Sequence, residues 1–314
     1  MLARASLARR AQRQPAIRSR GRKHTSEHAA GWAFVTPGVV IIALFGIAPI
    51  VWSAILSFQG NSTVGGSSPF VGLSNYRQML HDPVVGQAIG NTAVYTLLFV
   101  PGTMLVGLFL AVAMNRKLRF ISLYRTAAYA TMAISTISEA LVFIWLFDPA
   151  YGIVNYVFSL LGIPQQQFLN STTEALYVIV IMTIWGWTGF AVVIYLAALQ
   201  GIPQVLTEAA AIDGAGRWAT FRRVTLPLLS PASLFLVVWL TINALQLFDE
   251  VYLSTQGGPL NSTTVLVYYL YQQAFGQGTN FGYASAIAYF LFVIIIVVTA
   301  IQFRVGRRFT YYGS

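Results

Sequence analysis

Residues Gln200 to Pro231, QGIPQVLTEAAAIDGAGRWATFRRVTLPLLSP, form a long polar interruption on the basic side of an otherwise apolar chain, and their pattern is that of two short helices. Pro203 suits a first helical turn, and Glu208 with the alanines favours a helical interior, so a helix is expected over Gln204 to Asp213. Gly214 should end it in the left-handed conformation that glycine adopts without steric cost, turning the chain toward Arg217. A second helix is expected over Arg217 to Val224, stopping ahead of Leu226 and Pro227 because the residue before a proline is pushed out of the α region. Ala209, Ala210 and Ala211 leave the first helix slim enough for a partner surface to approach its backbone, and Glu208 offers that surface one charge. A helix lying in lipid headgroups is the competing reading, but such a helix needs an apolar stripe and has no need of a fixed glycine and a Leu-Pro pair downstream.

Composition sets the surroundings of this elbow. Hydrophobic residues make up 56% of the 314 positions and charged residues 9%, against roughly a quarter charged in an ordinary soluble domain. The chain therefore reads as a membrane protein, long enough for about six spans of about 20 residues with their loops. It has no cysteine, so disulfides and thiolate metal sites are excluded. The three histidines lie outside the apolar segments.

Six spans are expected, at Trp32 to Phe58, Asn91 to Met114, Thr126 to Phe147, Glu174 to Leu199, Pro231 to Leu253 and Phe281 to Phe303. Residues 1–31 read as a basic, disordered arm drawn to anionic lipid, 32–308 as the six-helix transmembrane domain, and 309–314 as a tail. The net charge of +10 encodes orientation more than a polyanionic partner. Alternate connections hold eight, four, three and three Lys or Arg, and the opposite ones hold only Arg77. The positive-inside rule then places both termini and the elbow in the cytoplasm. Nucleic-acid binding by the arm is the rival reading, but no reader module accompanies it.

The order Glu208-Ala209-Ala210, Gly214, then Val224-Thr225-Leu226-Pro227 resembles the EAA loop of ABC importer permeases, with Val224 where that pattern usually has Ile. Residues 69–76 (PFVGLSNY), 148–156 (DPAYGIVNY), 248–252 (FDEVY), 255–259 (TQGGP) and 281–286 (FGYASA) are similar to further signatures of the sugar and glycerol-phosphate branch of that family. The resemblance implies an all-α type I importer permease (MetI-like) fold in a bacterial cytoplasmic membrane. It implies that Glu208, Ala209, Ala210, Asp213, Gly214, Leu226 and Pro227 couple the chain to a cytoplasmic ATPase. The implied partners are a second homologous permease, a dimer of ATP-binding subunits that holds the ATP and Mg, and an extracytoplasmic solute-binding protein. Two departures fall near the expected path: Thr131-Met132 stands where a Leu-Pro pair is usual, and Glu139 is unexpected at its position.

Nucleotide hydrolysis by the chain itself is excluded on residues alone. A phosphate-binding loop needs Gly before Lys, whereas Lys23 and Lys117 both follow arginine. No metal-ligand cluster or nucleophile and base pairing is apparent, so no cofactor is expected in this chain and no enzyme activity. Ionisable and amide groups inside the bilayer are the functional candidates, because burying them unpaired is costly. Glu139 on span three, expected to share a helix face with Ser135 and Ser138, and Asn243, Gln246 and Glu250 on span five make up this set. They suit a hydroxylated solute, although polar side chains also stitch membrane helices together. Trp145, Trp185 and Trp187 are available to stack on sugar rings. No Lys or Arg falls inside a span, which favours a neutral sugar over a glycerol phosphate or glycerophosphodiester. A secondary transporter working without ATP and a membrane scaffold are the readings from other classes.

Overall fold

Apolar runs in a bilayer must satisfy their own backbone hydrogen bonds, and this chain does so with helices. The computed structural model describes residues 23–60, 69–116, 119–276 and 279–309. By proximity the chain divides at Trp52/Ser53 into two units.

The first unit is helical from Lys23. α1 (Lys23–Ile42) passes through a π turn (Ala43–Ile47) into α2 (Ala48–Ser57), and from Gly31 to Trp52 no side chain is buried within the structure. The helix thus begins eight residues ahead of the expected end of the basic arm, where Glu27, Ala29 and Ala30 favour helix. The rest of the arm, 1–22, and the tail residues 310–314 lie outside the described residues.

The second unit opens with α3 (Ser74–His81) and α4 (Pro83–Met114), then α5 (Ile121–Ala133), α6 (Thr136–Leu146), α7 (Ile153–Leu160) and α8 (Ala175–Gln200). The elbow supplies α9 (Gln204–Ile212), α10 (Arg217–Thr220), a π turn (Phe221–Thr225) and α11 (Leu226–Leu228). α12 (Ser230–Leu245), α13 (Asp249–Ser254), α14 (Leu266–Phe275) and α15 (Phe281–Phe309) complete it. Four helical stretches, Gly31–Ser57, Pro83–Met114, Ala175–Gln200 and Phe281–Arg308, are long and apolar enough to cross a membrane. The count reaches the expected six when two bent pairs, α5 with α6 and Arg217–Leu228 with α12, are each taken as one crossing.

Both bends correct the sequence reading. Span three turns by 102° between α5 and α6, where Ile134 and Ser135 leave the helix for extended backbone (ψ 130° and 139°). Span five is not one helix from Pro231 to Leu253: α12 stops at Leu245, and Gln246 to Phe248 separate it from α13. The elbow differs in the opposite sense. Leu226 and Pro227 do not end a helix; the chain continues helically to Leu228 and bends by 61° into α12. A widened turn makes this possible. Phe221–Thr225 is wound as a π helix two residues ahead of Pro227, and Ala43–Ile47 stands in the same relation to Pro49. A proline ring clashes with the carbonyl four residues back, and in both places that carbonyl lies in the widened turn. Pro37 and Pro101 sit inside α1 and α4 without one.

α4 and α8 form the principal pair of the core, with Gly107 of α4 backed onto Ala191 of α8, the small-residue packing that membrane helices use. Tyr95, Phe99, Ile179, Met182, Tyr195, Leu236 and Leu240 are buried around this seam. A second cluster joins Met79, Val85, Ala88, Leu266, Tyr283 and Ile287. At its edge Asp82 caps α4, accepting from the Val84 amide, and accepts hydrogen bonds from the hydroxyls of Tyr269 (2.6 Å) and Tyr283 (2.7 Å). Partial burial alone raises a carboxyl pKa, but these donors outweigh it and hold Asp82 below the usual carboxylate range.

Candidate functional site

The bend in span three and the break in span five put their polar residues against one another. α13 packs on α6, and α8 closes the space between them. Glu139, in the first turn of α6, lines a cavity of about 200 Å³ with Thr131, Met132, Ile134, Thr136, Gly186, Trp187, Phe190 and Glu250. A neighbouring cavity of about 190 Å³ shares Thr136, Trp187 and Glu250 with it and adds Tyr95, Phe99, Asn243, Gln246, Phe248 and Asp249. The four path residues expected from sequence, Glu139, Asn243, Gln246 and Glu250, therefore converge on adjoining spaces with a common wall. They do so from separate short helices and not from two continuous faces. Ser135 and Ser138 do not join Glu139: both are exposed while Glu139 is buried.

Glu139 is 7% exposed, and its Oε1 has no hydrogen-bond partner in the structure. The space it occupies exists because residue 186 is glycine: a Cβ there would lie 2.5 Å from Oε2 and 2.6 Å from Oε1. The carboxyl also sits in the first turn of α6, where the helix dipole favours its charged form. Asn243 is turned back on its own helix, its Nδ2 donating to the Trp239 carbonyl at 2.8 Å. The aromatic wall is continuous. Trp187 meets Phe99 (6.3 Å) and Phe190 (5.9 Å) edge to face, Phe99 stacks on Tyr95 (5.3 Å), and Phe190 leads on to Trp239 (6.1 Å). Among these, the sequence pointed only to Trp187. Thr136, Gly186 and Phe190 were legible only as span residues, and Trp145 and Trp185 do not line either cavity.

The elbow is built on opposite terms. α9 covers Gln204–Ile212 as expected, and no residue of α9, α10 or the π turn is buried. Gly214 has φ 77°, and its amide donates to the Ala211 carbonyl (3.1 Å) while the Ala215 amide donates to Ala210 (2.9 Å). These are the two bonds of a Schellman cap, with Asp213 as the last half-helical residue. Glu208, Ala209 and Asp213 are exposed and Ala210 is half-buried; Leu226 and Pro227 are exposed on the far side of the turn. Val205 (70% exposed), Ile212 (86%) and Trp218 (72%) add apolar surface that the sequence reading did not single out, with Trp218 stacked on Phe221 at 5.7 Å.

Several signature segments serve structure. Asn75 is buried and donates to the carbonyls of Ser57 (2.9 Å) and Gln59 (2.8 Å), and Gly282 packs directly on Gln59 and Gly60. Asn155 ties its loop together by donating to Pro149 and Gln166 carbonyls and accepting from the Gln166 amide. Gly257 accepts at its carbonyl from Thr264 (3.1 Å), closing the loop around 255–259.

Membrane-length helices with two bent crossings, a polar cavity where the bend of span three meets the break in span five, and an exposed helical elbow define a multi-pass membrane permease. Residues 103–311 match the family of binding-protein-dependent transport system inner membrane components, and the chain belongs to that family. A probable ABC transporter permease of Pyrococcus horikoshii is 36% identical over 267 residues, covering 84% of this chain and 91% of that protein. The lactose transport system permease LacF of Rhizobium radiobacter is also 36% identical, over 283 residues and 88% and 94% of the two chains. The sn-glycerol-3-phosphate transport system permease UgpA of Yersinia pestis is 34% identical over 278 residues, 88% of this chain and 94% of that one. Among solved structures, a chain of a bacterial ABC transporter that imports the acidic polysaccharide alginate superposes with a TM-score of 0.82 at 24% identity, covering 92% of this chain and 99% of that one. The fold is thus that of ABC importer permeases, all-α with no β-strand beyond one isolated bridge, Gln59 to Phe70, among the described residues.

Proposed function

We propose that this chain forms half of the solute path of an ATP-driven carbohydrate importer in a bacterial cytoplasmic membrane. The observation that carries the reading is the convergence of Glu139 in one cavity and Asn243 and Gln246 in its neighbour on a common wall of Glu250, Thr136 and Trp187. A carbohydrate offers many hydroxyls and apolar ring faces, and a path that replaces its water must supply acceptors, donors and aromatic surface together. The named solutes of the relatives support the sugar class, lactose in one and trehalose and maltose in a 31% identical permease of Thermococcus litoralis. Glycerol 3-phosphate is the second reading, favoured by the UgpA relatives.

In this reading both termini and the elbow face the cytoplasm. α9 and its Schellman cap, through Glu208, Ala209, Ala210, Asp213, Gly214, Leu226 and Pro227, dock on one of two partner ATPases, which bind ATP and Mg and supply all hydrolysis. A second permease completes the path, and an external solute-binding protein delivers the solute. The exposed Val205, Ile212 and Trp218 suit such a docking face, since a monomer gains nothing by leaving them in water. The test is reconstitution of the permease pair with its ATPases and binding protein in liposomes. Uptake of a disaccharide should require ATP and the binding protein and ignore proton or sodium gradients; uptake that follows an ion gradient without ATP overturns the reading. Orientation is checked in cells, where a cysteine at exposed Leu161 should react with an impermeant thiol reagent and one at Ile212 should not.

A further inference from the structure

We propose that the groove between α12 and α15 is a site for an anionic glycerophospholipid, with one acyl chain lying in the groove and the phosphate held by arginines at its mouth. The site shares no residue with the two cavities at the bends and is the same whichever solute crosses.

The groove has a volume of about 480 Å³. It follows Ser230 to Val237 on α12 beside Ile301 to Gly306 on α15, roughly two helical turns or about 10 Å at about 1.5 Å per residue. Leu226, Leu234, Val237, Ile301 and Val305 make its walls apolar. Its polar groups are already committed within the protein. The Ser230 hydroxyl donates to the Pro227 carbonyl (2.6 Å), the Ser233 hydroxyl pairs with that of Tyr195 (3.3 Å), and the Gln302 amide donates to Thr241 (2.8 Å) while its carbonyl oxygen is closed to water. A polar ligand would find no partner here, whereas a hydrocarbon chain meets a surface of its own kind.

Charge gathers at one end of this groove. The two helices run antiparallel, since Gly306 packs on Leu234 and Gln302 reaches Thr241 farther along α12. Beyond Gly306, α15 therefore runs beside Ser230 and Leu226 toward the π turn of the elbow. Arg308 lies seven residues after Ile301 and three after Val305, on the helix edge that lines the groove. Arg304 and Arg307 flank it, and Arg222 and Arg223 stand in the π turn just ahead of Leu226. All five are exposed, and neither 216–248 nor 281–309 contains an Asp or Glu. Glu208 and Asp213 of the elbow form no ion pair with them among the described residues. A phosphodiester supplies the missing negative charge and the acceptor oxygens that guanidinium groups fit, and basic pockets between membrane helices hold lipid headgroups in this way. An apolar helix would cover the groove but leave the arginines without a countercharge; the exposed helix of a second copy has no acid between His28 and Ser57. Free phosphate would meet the arginines and leave the groove empty.

The test places the intact transporter in phosphatidylcholine nanodiscs that carry a photoactivatable acyl chain on either phosphatidylglycerol or phosphatidylcholine. Labelled peptides of this chain are quantified by mass spectrometry. Relative to the rest of the chain, the peptides spanning 230–237 and 301–306 should take at least about tenfold more of the anionic lipid than of the zwitterionic one, the scale of two arginines acting at a membrane surface. Arg222→Gln with Arg308→Gln should reduce that preference to the average of the chain, and Arg222→Lys with Arg308→Lys should restore part of it. Arg116→Gln with Arg119→Gln removes the same charge from the turn between α4 and α5 and should leave it intact. Val305→Trp fills the groove from its exposed rim and should cut labelling there by both lipids several fold. Equal labelling by the two lipids in the parent, a preference that survives loss of Arg222 and Arg308, or one lost equally with Arg116 and Arg119 overturns the site. Undiminished labelling in Val305→Trp overturns the groove as the seat of the chain. Benzoylphenylalanine in place of Ile301 should capture phospholipid on irradiation; capture of a partner subunit at that position overturns the lipid as occupant.

Discussion

The cavity and the elbow are mirror images in polarity. At the cavity a carboxyl is buried among apolar helices with an oxygen unmet; at the elbow Val205, Ile212 and Trp218 stand in the open on two short helices that bury nothing. Isolated exposed apolar residues mean little and buried polar ones are usually paired, so each region departs from the norm in the direction that its use requires. Under the proposed function, the contrast separates two kinds of recognition in one chain, a polar solute inside and a protein surface outside.

The contrast breaks most visibly if the two regions are damaged one at a time. Val205→Asp with Ile212→Asp removes two anchors, each contributing about 1.5–3 kcal/mol when covered. ATPase retention on purification should therefore fall about 100-fold or more, with the cavity unchanged. Retention at the parental level would show that the apolar face of α9 covers nothing. Gly186→Val should do the reverse: the new side chain displaces the Glu139 carboxyl, and uptake should drop by about tenfold or more while the ATPases stay bound, on the scale of an overpacked site costing about 1–3 kcal/mol. Normal uptake in that variant would mean that the position of Glu139 is immaterial.

Gly214 offers a finer probe. A Cβ there meets no atom within 4 Å, so the penalty is conformational only, about 1 kcal/mol for Ala in the left-handed region and more for β-branched Val. Gly214→Ala should weaken ATPase retention by a few fold and Gly214→Val by more; equal effects would point to a lost contact in place of a lost turn. The smallest effect is expected at Asp82. Tyr269→Phe deletes one hydrogen bond to a carboxylate and should lower thermal stability by about 1 kcal/mol without touching uptake. Because the Asp82 pKa is lower in the folded chain, its contribution is fully present above the ordinary carboxylate pKa. It is lost as pH falls through the depressed value, so the Tyr269→Phe difference should vanish at strongly acid pH.

How far the sequence could be read follows the same divide. The elbow's start, its glycine stop and the spans at α4, α8 and α15 follow from local rules of propensity, capping and apolar run length. The breaks did not, because nothing local marks them. Ile134-Ser135 and Gln246-Leu247-Phe248 contain neither proline nor glycine, and only packing against α8 and between α6 and α13 makes their departure from helical backbone worthwhile. Pro227 misled in the other direction, since a π turn absorbs the clash that would otherwise end the helix. The path residues were identified by being polar in apolar surroundings, yet their meeting depended on the breaks, and Gly186 is silent in sequence because its role is the space opposite Glu139.

The Schellman cap closes α9 with bonds reaching no further than Ala209 to Ala215, and nine residues of helix with nothing buried are too few to be stable by themselves. Local opening is therefore cheap there and dear along α4 and α8. In deuterated buffer the amides of Ala209 to Ala215 should exchange among the first of the second unit, and their slowing when nucleotide-loaded partners are added becomes a clock for engagement that needs no substitution at all.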